Sequence, residues 1–214
     1  MKYCLVFTII LFVAACADEQ NAAQETPLIV MPKADGSIDQ PKPFTRNDLV
    51  LMGRKFIDLW GGRYRGDLAE RLFTSKDFDE RILTSYVGGI YLTYPADNEI
   101  GLRRLAKDVT DGDDVSARLL GLIMYITGTE MLQSRPPMPQ PDPDTVALFY
   151  AARHFGSAKA AAVLDARYSL LGDELREMSL DRSREYIRNP LALLDLSALG
   201  CEDVSRWSRN HCNF

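Results

Sequence analysis

The chain has 214 residues, of which 46% are hydrophobic and 26% are charged, and its net charge is −5. A chain of this length can bury the core of one domain or of a short repeat array. Its acidic balance, without a basic cluster, argues against nucleic-acid binding, because phosphate contacts require concentrated Lys and Arg. After the first 15 residues, we expect no segment that is long and apolar enough to cross a membrane.

The first sixteen residues predict export and a lipid anchor. Lys2 places a positive charge ahead of residues 4–13, which carry no charge and are too few to span a bilayer as a stable helix. Two alanines follow, and Cys16 comes directly after them. This order resembles the lipobox of bacterial lipoproteins, in which the cysteine is acylated and the signal peptide, here residues 1–15, is removed. An ordinary secretory signal with an incidental cysteine is the alternative.

The resemblance to lipoproteins also implies a location. Ala17 directly after the cysteine is typical of sorting to the outer membrane, whereas Asp at that place often marks retention at the inner membrane, and here Asp18 comes one place later. We therefore expect a lipid-anchored protein on the periplasmic face of a Gram-negative cell envelope, at the outer rather than the inner membrane. Residues 16–44 contain four prolines and no apolar helical face, which predicts a flexible tether.

Two cysteines near the C-terminus are expected to form a disulfide. Cys201 and Cys212 are eleven residues apart, and an oxidising periplasm favours their pairing, so that residues 201–214 would form a closed segment. His211 beside Cys212 raises the alternative of a metal site. No further His or Cys-x-x-Cys pair completes the ligand set, and we predict neither a metal nor a cofactor.

A helical domain is predicted over residues 45–200. Thr45 and Asp48 have the spacing of a capping box, and Phe44 and Leu49 that of a hydrophobic staple. Apolar residues recur from there at helical spacing until Gly61, which is expected to end the first helix. The further helix starts are predicted at Ser75, Asn98, Asp114, Asp142-Pro143, Ser157 and Asn189-Pro190. Since no alternating strand pattern is evident, we predict an all-α fold of about eight or nine helices.

An internal repeat refines this prediction. Residues 117–128 recur loosely 44 positions later, as residues 161–172, with Ala, Leu and the final Gly in register. Such repetition predicts a short α-solenoid of antiparallel helix pairs, in which each pair buries its apolar face against its neighbours. Glycines at positions 88, 89 and 121 are expected to allow close helix packing, since glycine inside a helix otherwise costs about 1 kcal/mol relative to alanine.

Part of this repeat resembles a Sel-one-like repeat, a relative of the tetratricopeptide repeat. The residues that carry the resemblance are Leu120, Gly121, Tyr125, Gly128, Ala147, Phe149, Tyr150, Ala151, Ala152, Gly156 and Ala158. The match covers residues 115–160, with weaker copies over residues 80–114 and 161–188. The resemblance implies helix pairs whose concave face binds a protein or a peptide.

Residue patterns that could indicate catalysis have simpler explanations. His154 precedes a helix end, where a cation suits the helix dipole. Ser157 and Lys159 have a spacing used by some Ser-Lys hydrolases, but Ser157 stands where a helix cap is expected. The acidic residues within 108–114 lack the spacing of a calcium loop and are typical of a turn. We therefore predict that the protein is not an enzyme and has no catalytic residue.

Candidate partner-binding residues lie on the first helices of the repeats and on a proline-rich insertion. Tyrosines can anchor a protein interface, although most are expected in the core. Residues 133–143 contain five prolines, which predicts an extended loop that either contacts a partner or is a tolerated surface insertion. The candidates are Tyr86, Tyr91, Tyr94, Tyr125, Arg135 and Met138.

These features together predict a membrane-tethered periplasmic scaffold or adaptor that binds a protein or peptide client of the cell envelope. Three alternatives stay open. One is an immunity lipoprotein that neutralises a secreted antibacterial toxin, a role known for some Sel-one-like lipoproteins that this chain resembles. The others are a cell-envelope hydrolase or its regulator, and a purely structural envelope protein.

Overall fold

The computed structural model describes residues 41–61, 66–134 and 141–196, and these residues form helices joined by turns. The helices are α1 (Arg46–Trp60), α2 (Asp67–Thr74), α3 (Glu80–Thr93), α4 (Asn98–Thr110), α5 (Asp114–Ser134), α6 (Pro143–His154), α7 (Ala158–Arg167) and α8 (Asp173–Arg188), with short 3-10 turns at Pro95–Asp97 and Pro190–Ala192. No strand occurs in this described part, and the predicted all-α class and short α-solenoid are confirmed there. The predictions for Cys16, Arg135, Met138, Cys201 and Cys212 lie outside the described residues.

Three of the predicted helix starts are confirmed by their hydrogen bonds. Thr45 and Asp48 form the capping box of α1, in which the Thr45 backbone N–H donates to Asp48 Oδ2 at 2.8 Å and the Asp48 N–H donates to Thr45 Oγ1 at 3.2 Å. The Asp142 side chain caps α6 and the Ser157 side chain caps α7. Gly61 ends α1 with a φ of 100°, a backbone conformation that residues with a Cβ rarely adopt.

One other predicted start lies four residues before the observed cap, and another lies one residue after it. Ser75 ends α2, a helix that was not predicted, and its N–H donates to the Arg71 carbonyl oxygen at 3.0 Å. The next helix is capped by Asp79, because the intervening turn first buries Phe78 against Phe73 at a ring separation of 5.4 Å. At α5, Asp113 rather than Asp114 accepts the hydrogen bonds at the start of the helix.

The core centres on α5. This helix contacts α1, α3, α4 and α6, and most of its residues are buried. By length and composition alone, its 21 residues could cross a membrane, contrary to our expectation for the chain after the signal. Within the fold, 61% of its most apolar stretch is buried against other helices, which accounts for its apolar composition.

Glycines set the distance between α5 and α6. A Cβ on Gly121 would lie 2.8 Å from Phe155 Cβ, and one on Gly128 would lie 3.3 Å from Leu148 Cβ. Both are closer than ordinary van der Waals contact, so these two glycines permit the close approach. A Cβ on Gly88 would lie 3.4 Å from Ile126 Cγ2, an ordinary van der Waals contact, so the packing there does not require glycine. Gly89 is exposed with open space around it, and the packing role predicted for Gly89 is wrong.

The second half of the chain packs around α6. This helix contacts α5, α7 and α8, and the Pro190–Ala192 turn returns the chain to α4. The last long helix, α8, was not predicted, because few of its residues are apolar and its buried positions are Ser179, Ser183 and Tyr186. Its place in the fold depends on contacts with α6 that no local pattern reveals.

Candidate interaction surface

The four candidate tyrosines occupy different environments. Tyr91 is only 1% exposed, so it is a core residue and is not available to a partner in this structure, which corrects its assignment as a binding residue. It lies edge-on to Trp60 at a ring separation of 6.2 Å. Tyr94 is 47% exposed and follows directly after the end of α3. Tyr94 is therefore the candidate tyrosine that the surface presents most fully.

The other two tyrosines are half-buried. The Tyr86 ring lies edge-on to Phe56 at 6.4 Å and to Phe73 at 5.6 Å, which fixes it between α1 and α2. The Tyr125 ring lies 6.1 Å from that of Phe149, across the contact between α5 and α6. Both side chains contribute mainly to helix packing.

Two exposed apolar residues flank Tyr94 in the chain, one on each side of the 3-10 turn. Leu92 is 43% exposed near the end of α3, and Ile100 is 64% exposed in the first turn of α4. Between them, the Asp97 N–H donates to the Tyr94 carbonyl oxygen at 3.1 Å and closes the 3-10 turn. We call the surface formed by Leu92, Tyr94 and Ile100 the α3–α4 corner.

A buried asparagine holds this corner in place. Asn98 was predicted to cap α4 with its side chain, but no such cap bond forms, and the side chain is fully buried. Its Oδ1 accepts a hydrogen bond from Trp60 Nε1 at 2.9 Å, and its Nδ2 donates to the Tyr91 carbonyl oxygen at 2.9 Å. One side chain thus links the end of α1, the last turns of α3 and the start of α4.

Helix α4 packs against the indole ring of Trp60. Its ring stacks on Phe56 at 4.7 Å, and a Cβ on Gly101 would lie 2.4 Å from its Cε2 atom. Only glycine therefore fits at position 101 without a shift of the ring or the helix. Arg104 Nη1 adds hydrogen bonds to the carbonyl oxygens of Asp58 and Leu59, at 3.1 and 3.2 Å, which satisfies the C-terminal end of α1.

The contacts of Asn98 and Gly101 with Trp60 were not predicted from the sequence, although the sequence contains a signal for them. A buried tryptophan requires an acceptor for its indole N–H. A glycine three residues after Asn98, inside an otherwise regular helix, indicates that something large packs there. Together these features point to Asn98 as a buried partner of Trp60, but the pairing spans 38 positions in the chain.

The acidic stretch within 108–114 forms ion pairs. Lys55 Nζ lies 2.8 Å from Asp108 Oδ2 and 2.8 Å from Asp113 Oδ2, which joins α1 to α4 and to the turn before α5. Asp111 pairs with Lys107 at 2.6 Å, and Gly112 makes the turn with a φ of 86°. Among the described residues, no group of three or more His, Cys, Asp or Glu is arranged to hold a metal ion.

The ion pairs around Lys55 shift the pKa values of Lys55 and Asp113. Partial burial by itself would raise the pKa of Asp113, but hydrogen bonds from Lys55 and Ser116 outweigh it and hold that pKa below its ordinary value. Burial alone would lower the pKa of Lys55, and the hydrogen bonds to Asp108 and Asp113 raise it instead. The charged forms are therefore the stable ones in the folded protein.

The residues considered for catalysis have structural positions. The hydroxyl of Ser157 is buried and accepts from the Ala160 N–H at 3.2 Å, and the ammonium of Lys159 lies 3.6 Å from Glu80 Oε1 on α3. His154 is exposed at the end of α6, with its ring 5.0 Å from that of Phe155. The structure thus places Ser157 in the cap of α7 and engages Lys159 with a different partner.

Comparison with protein-family models, with curated proteins and with solved structures finds no match for this chain.

Proposed function

We propose that this protein is a lipid-anchored, non-enzymatic scaffold or adaptor that binds a protein or peptide client in the envelope of a Gram-negative cell. The observation that carries the binding role is the α3–α4 corner, where Leu92, Tyr94 and Ile100 present apolar side chains to solvent. The anchor rests on the resemblance of residues 1–16 to a lipobox. The Sel-one-like character of residues 115–160 belongs to the same proposal.

The corner has the properties of an interface anchor. Protein interfaces depend on a few aromatic and large apolar side chains, and affinity rises when these are held in place before binding. Tyr94 and its neighbours extend from a turn whose backbone is held by the buried Asn98 side chain. Because the turn is already ordered, a client loses less entropy on binding than it would with a flexible loop.

The partly exposed charged side chains that join helices support binding rather than hydrolysis. Asp48 pairs with Arg118 at 2.8 Å, and Lys55 pairs with two aspartates, so each links one helix to another. Asp144 likewise accepts from Arg182 and Tyr186 across the contact of α6 with α8. A hydrolase requires polar groups that converge on the substrate, whereas these groups are engaged in holding helices together.

In-cell photo-crosslinking tests the binding surface. A photoreactive phenylalanine analogue is placed at position 100 in the full chain, and a matched chain carries it at position 68, where Leu68 is 82% exposed on α2. We expect one dominant crosslinked envelope protein from position 100 and none from position 68. Equal products from both positions, or none from position 100, would contradict the proposal.

The anchor is tested separately with the Cys16→Ser chain. Metabolic labelling with an alkyne fatty acid should mark the unaltered chain and not the variant, and the crosslink from position 100 should weaken when the anchor is lost. Labelling that persists in Cys16→Ser would refute the lipid anchor and leave the binding surface untouched. The identity of the crosslinked client, an envelope component or a foreign toxin, distinguishes a scaffold from an immunity protein.

A further inference from the structure

Helix α8 presents a row of charged residues to solvent. All nine of its charged residues are exposed, whereas its buried positions are Ser179, Ser183 and Tyr186. Because an α-helix turns by about 100° per residue, positions three and four apart share one face. The face opposite the buried positions carries charged residues at alternating spacings of three and four, which we call the α8 stripe: Glu174, Glu177, Asp181, Arg184 and Arg188.

The α8 stripe separates its charges along the helix. Acids occupy its N-terminal part and arginines its C-terminal part. The helix dipole favours this order, but its effect is confined to the first and last turns. Glu177, Asp181 and Arg184 lie inside these turns, so the dipole does not account for the order of their charges. A face of this kind is complementary to a second copy of itself that runs in the opposite direction.

Most of the stripe has no ionic partner within its own chain. Among the described residues, no ion pair or hydrogen bond engages the side chains of Glu174, Glu177 or Arg188, whereas Asp181 pairs with Arg184 three residues later. An exposed pair of this type contributes little to stability and competes weakly with other partners. The charges of the stripe are therefore available to another molecule.

The helix that carries the stripe is firmly attached to the fold. Tyr186 is buried in the core, and its hydroxyl donates to Asp144 Oδ1 on α6 at 2.9 Å. Arg182 Nη1 donates to the same oxygen at 2.6 Å, and Ile187 packs against the core. The Pro190–Ala192 turn that follows packs on α4. The stripe is thus held in place before binding, which reduces the entropy lost when a partner docks.

We infer that the α8 stripe pairs with the stripe of a second copy of this chain, with the two helices antiparallel about a twofold axis at Asp181. In this register, Glu174 of one copy lies opposite Arg188 of the partner subunit. Glu177 likewise lies opposite Arg184 of the partner subunit. Twofold symmetry repeats each of these two contacts, which gives four ion pairs. The Asp181 carboxylates meet at the axis, where each is already paired with the Arg184 of its own chain.

The charges select the antiparallel arrangement, because a parallel one would set like charges opposite each other. Met178 is 42% exposed and lies four residues after Glu174 and three before Asp181, so it borders the stripe and adds apolar area to the contact. A contact confined to one face of a 16-residue helix is small, so we expect a weak, reversible dimer that salt weakens further. The inference depends on neither the proposed client nor the proposed anchor.

Photo-crosslinking between two tagged copies tests the pairing in cells. One full chain carries a photoreactive phenylalanine analogue at position 181, and it is co-expressed with a full chain that carries a different tag. We expect a crosslinked product that contains both tags. The matched chain has the analogue at position 176, where Arg176 is exposed on α8. This position lies about 100° around the helix from Glu177, and it should give at least about fivefold less product.

Charge reversal tests the register. With the analogue at position 181 throughout, one variant combines Glu174→Arg with Glu177→Arg, and the other combines Arg184→Glu with Arg188→Glu. Either variant paired with itself should give at least about fivefold less product, since four attractive contacts become repulsive. The two variants co-expressed with each other should restore the product, because every contact then joins opposite charges. This restoration also shows that both variants fold.

Four outcomes would overturn the inference. The first is the absence of a product with both tags from position 181, and the second is an equal yield from positions 181 and 176. The third is a mixed pair of charge-reversal variants that crosslinks no better than either variant with itself. The fourth is a crosslink from position 181 to a different protein only.

Discussion

Trp60 and Asn98, 38 positions apart in the chain, form a buried hydrogen bond in which the indole Nε1–H donates to the amide Oδ1 at 2.9 Å. The same amide donates through Nδ2 to the Tyr91 carbonyl oxygen at 2.9 Å. Through these two bonds, the position of the exposed α3–α4 corner depends on a residue that is itself inaccessible. A change in the core at this point should therefore alter the surface above it.

Asn98→Ala should destabilise the protein by about 2–4 kcal/mol, because it leaves the Trp60 N–H and the Tyr91 carbonyl oxygen buried without partners, at about 1–3 kcal/mol each. Urea unfolding measures the loss. Glu99→Ala, at the adjacent exposed position with an ion pair to Arg103, should cost less than about 0.5 kcal/mol. Similar costs for the two variants would show that the Asn98 bonds contribute little.

Two glycine-to-alanine changes should have opposite effects. Gly101→Ala places a Cβ 2.4 Å from the Trp60 ring and should destabilise by about 1–3 kcal/mol, despite the higher helix propensity of alanine. Gly89→Ala lies inside α3 with open space around it and should stabilise by about 0.5–1 kcal/mol. Thermal and urea unfolding of the two variants give the comparison, and stabilisation by Gly101→Ala would refute the close packing of α4 on Trp60.

The ion pairs of Lys55 predict a defined dependence of stability on pH. The folded state lowers the pKa of Asp113. The charged Asp113 carboxylate therefore stabilises the fold fully above the unfolded pKa of about 3.9, and this stabilisation is lost as pH falls through the folded pKa. Asp113→Asn should therefore cost about 0.5–1 kcal/mol at neutral pH, after allowance for solvent screening, and almost nothing near pH 2.

The lysine contributes at the other end of the pH range. The folded state raises the pKa of Lys55, so the contribution of its charge to stability is present below the unfolded pKa of about 10.4 and is lost as pH rises through the folded value.

Urea unfolding measured from pH 2 to pH 7 tests the contribution of Asp113 to stability. Asp111→Asn, which affects only the exposed pair with Lys107, serves as the control. A cost of Asp113→Asn that is constant over this range would contradict the ion-pair explanation.

Two buried tyrosine hydroxyls should respond differently to removal. The hydroxyl of Tyr91 is buried and makes no hydrogen bond of normal geometry to the described residues, and burial raises its pKa. Tyr91→Phe should therefore leave the free energy of unfolding unchanged or raise it by about 1 kcal/mol. Tyr186→Phe removes a 2.9 Å bond to Asp144 and should lower it by about 0.5–1.5 kcal/mol. Loss of more than 1 kcal/mol in Tyr91→Phe would show that its hydroxyl has a partner.

Local signals in the sequence predicted the features that depend on a few neighbouring residues. The capping box of Thr45 and Asp48, the caps at Asp142 and Ser157, and the glycine end of α1 all formed as expected. Each involves groups within about four residues of one another, so their geometry depends on the backbone nearby. The apolar periodicity of α1 and α5 also predicted these helices, because each of them buries at least one side against the core.

Features that depend on distant partners could not be predicted in this way. Ser75 and Asp79 are both competent helix caps, and the burial of Phe78 decided between them. The helix α8 carries too few apolar residues for its periodicity to show, and it is held by close packing and by Asp144 on another helix.

The sequence by itself determined that this protein is helical, where most of its helices begin, and that its first sixteen residues resemble a lipoprotein signal. Only the tertiary structure decided which tyrosine reaches solvent and which lies in the core. Tyr91 and Tyr94 are three residues apart on the chain, yet Tyr91 packs on Trp60 while Tyr94 lies beyond the helix end. The physical reason is that exposure depends on what other helices cover, and Asn98 fixes that arrangement through partners on α1 and α3.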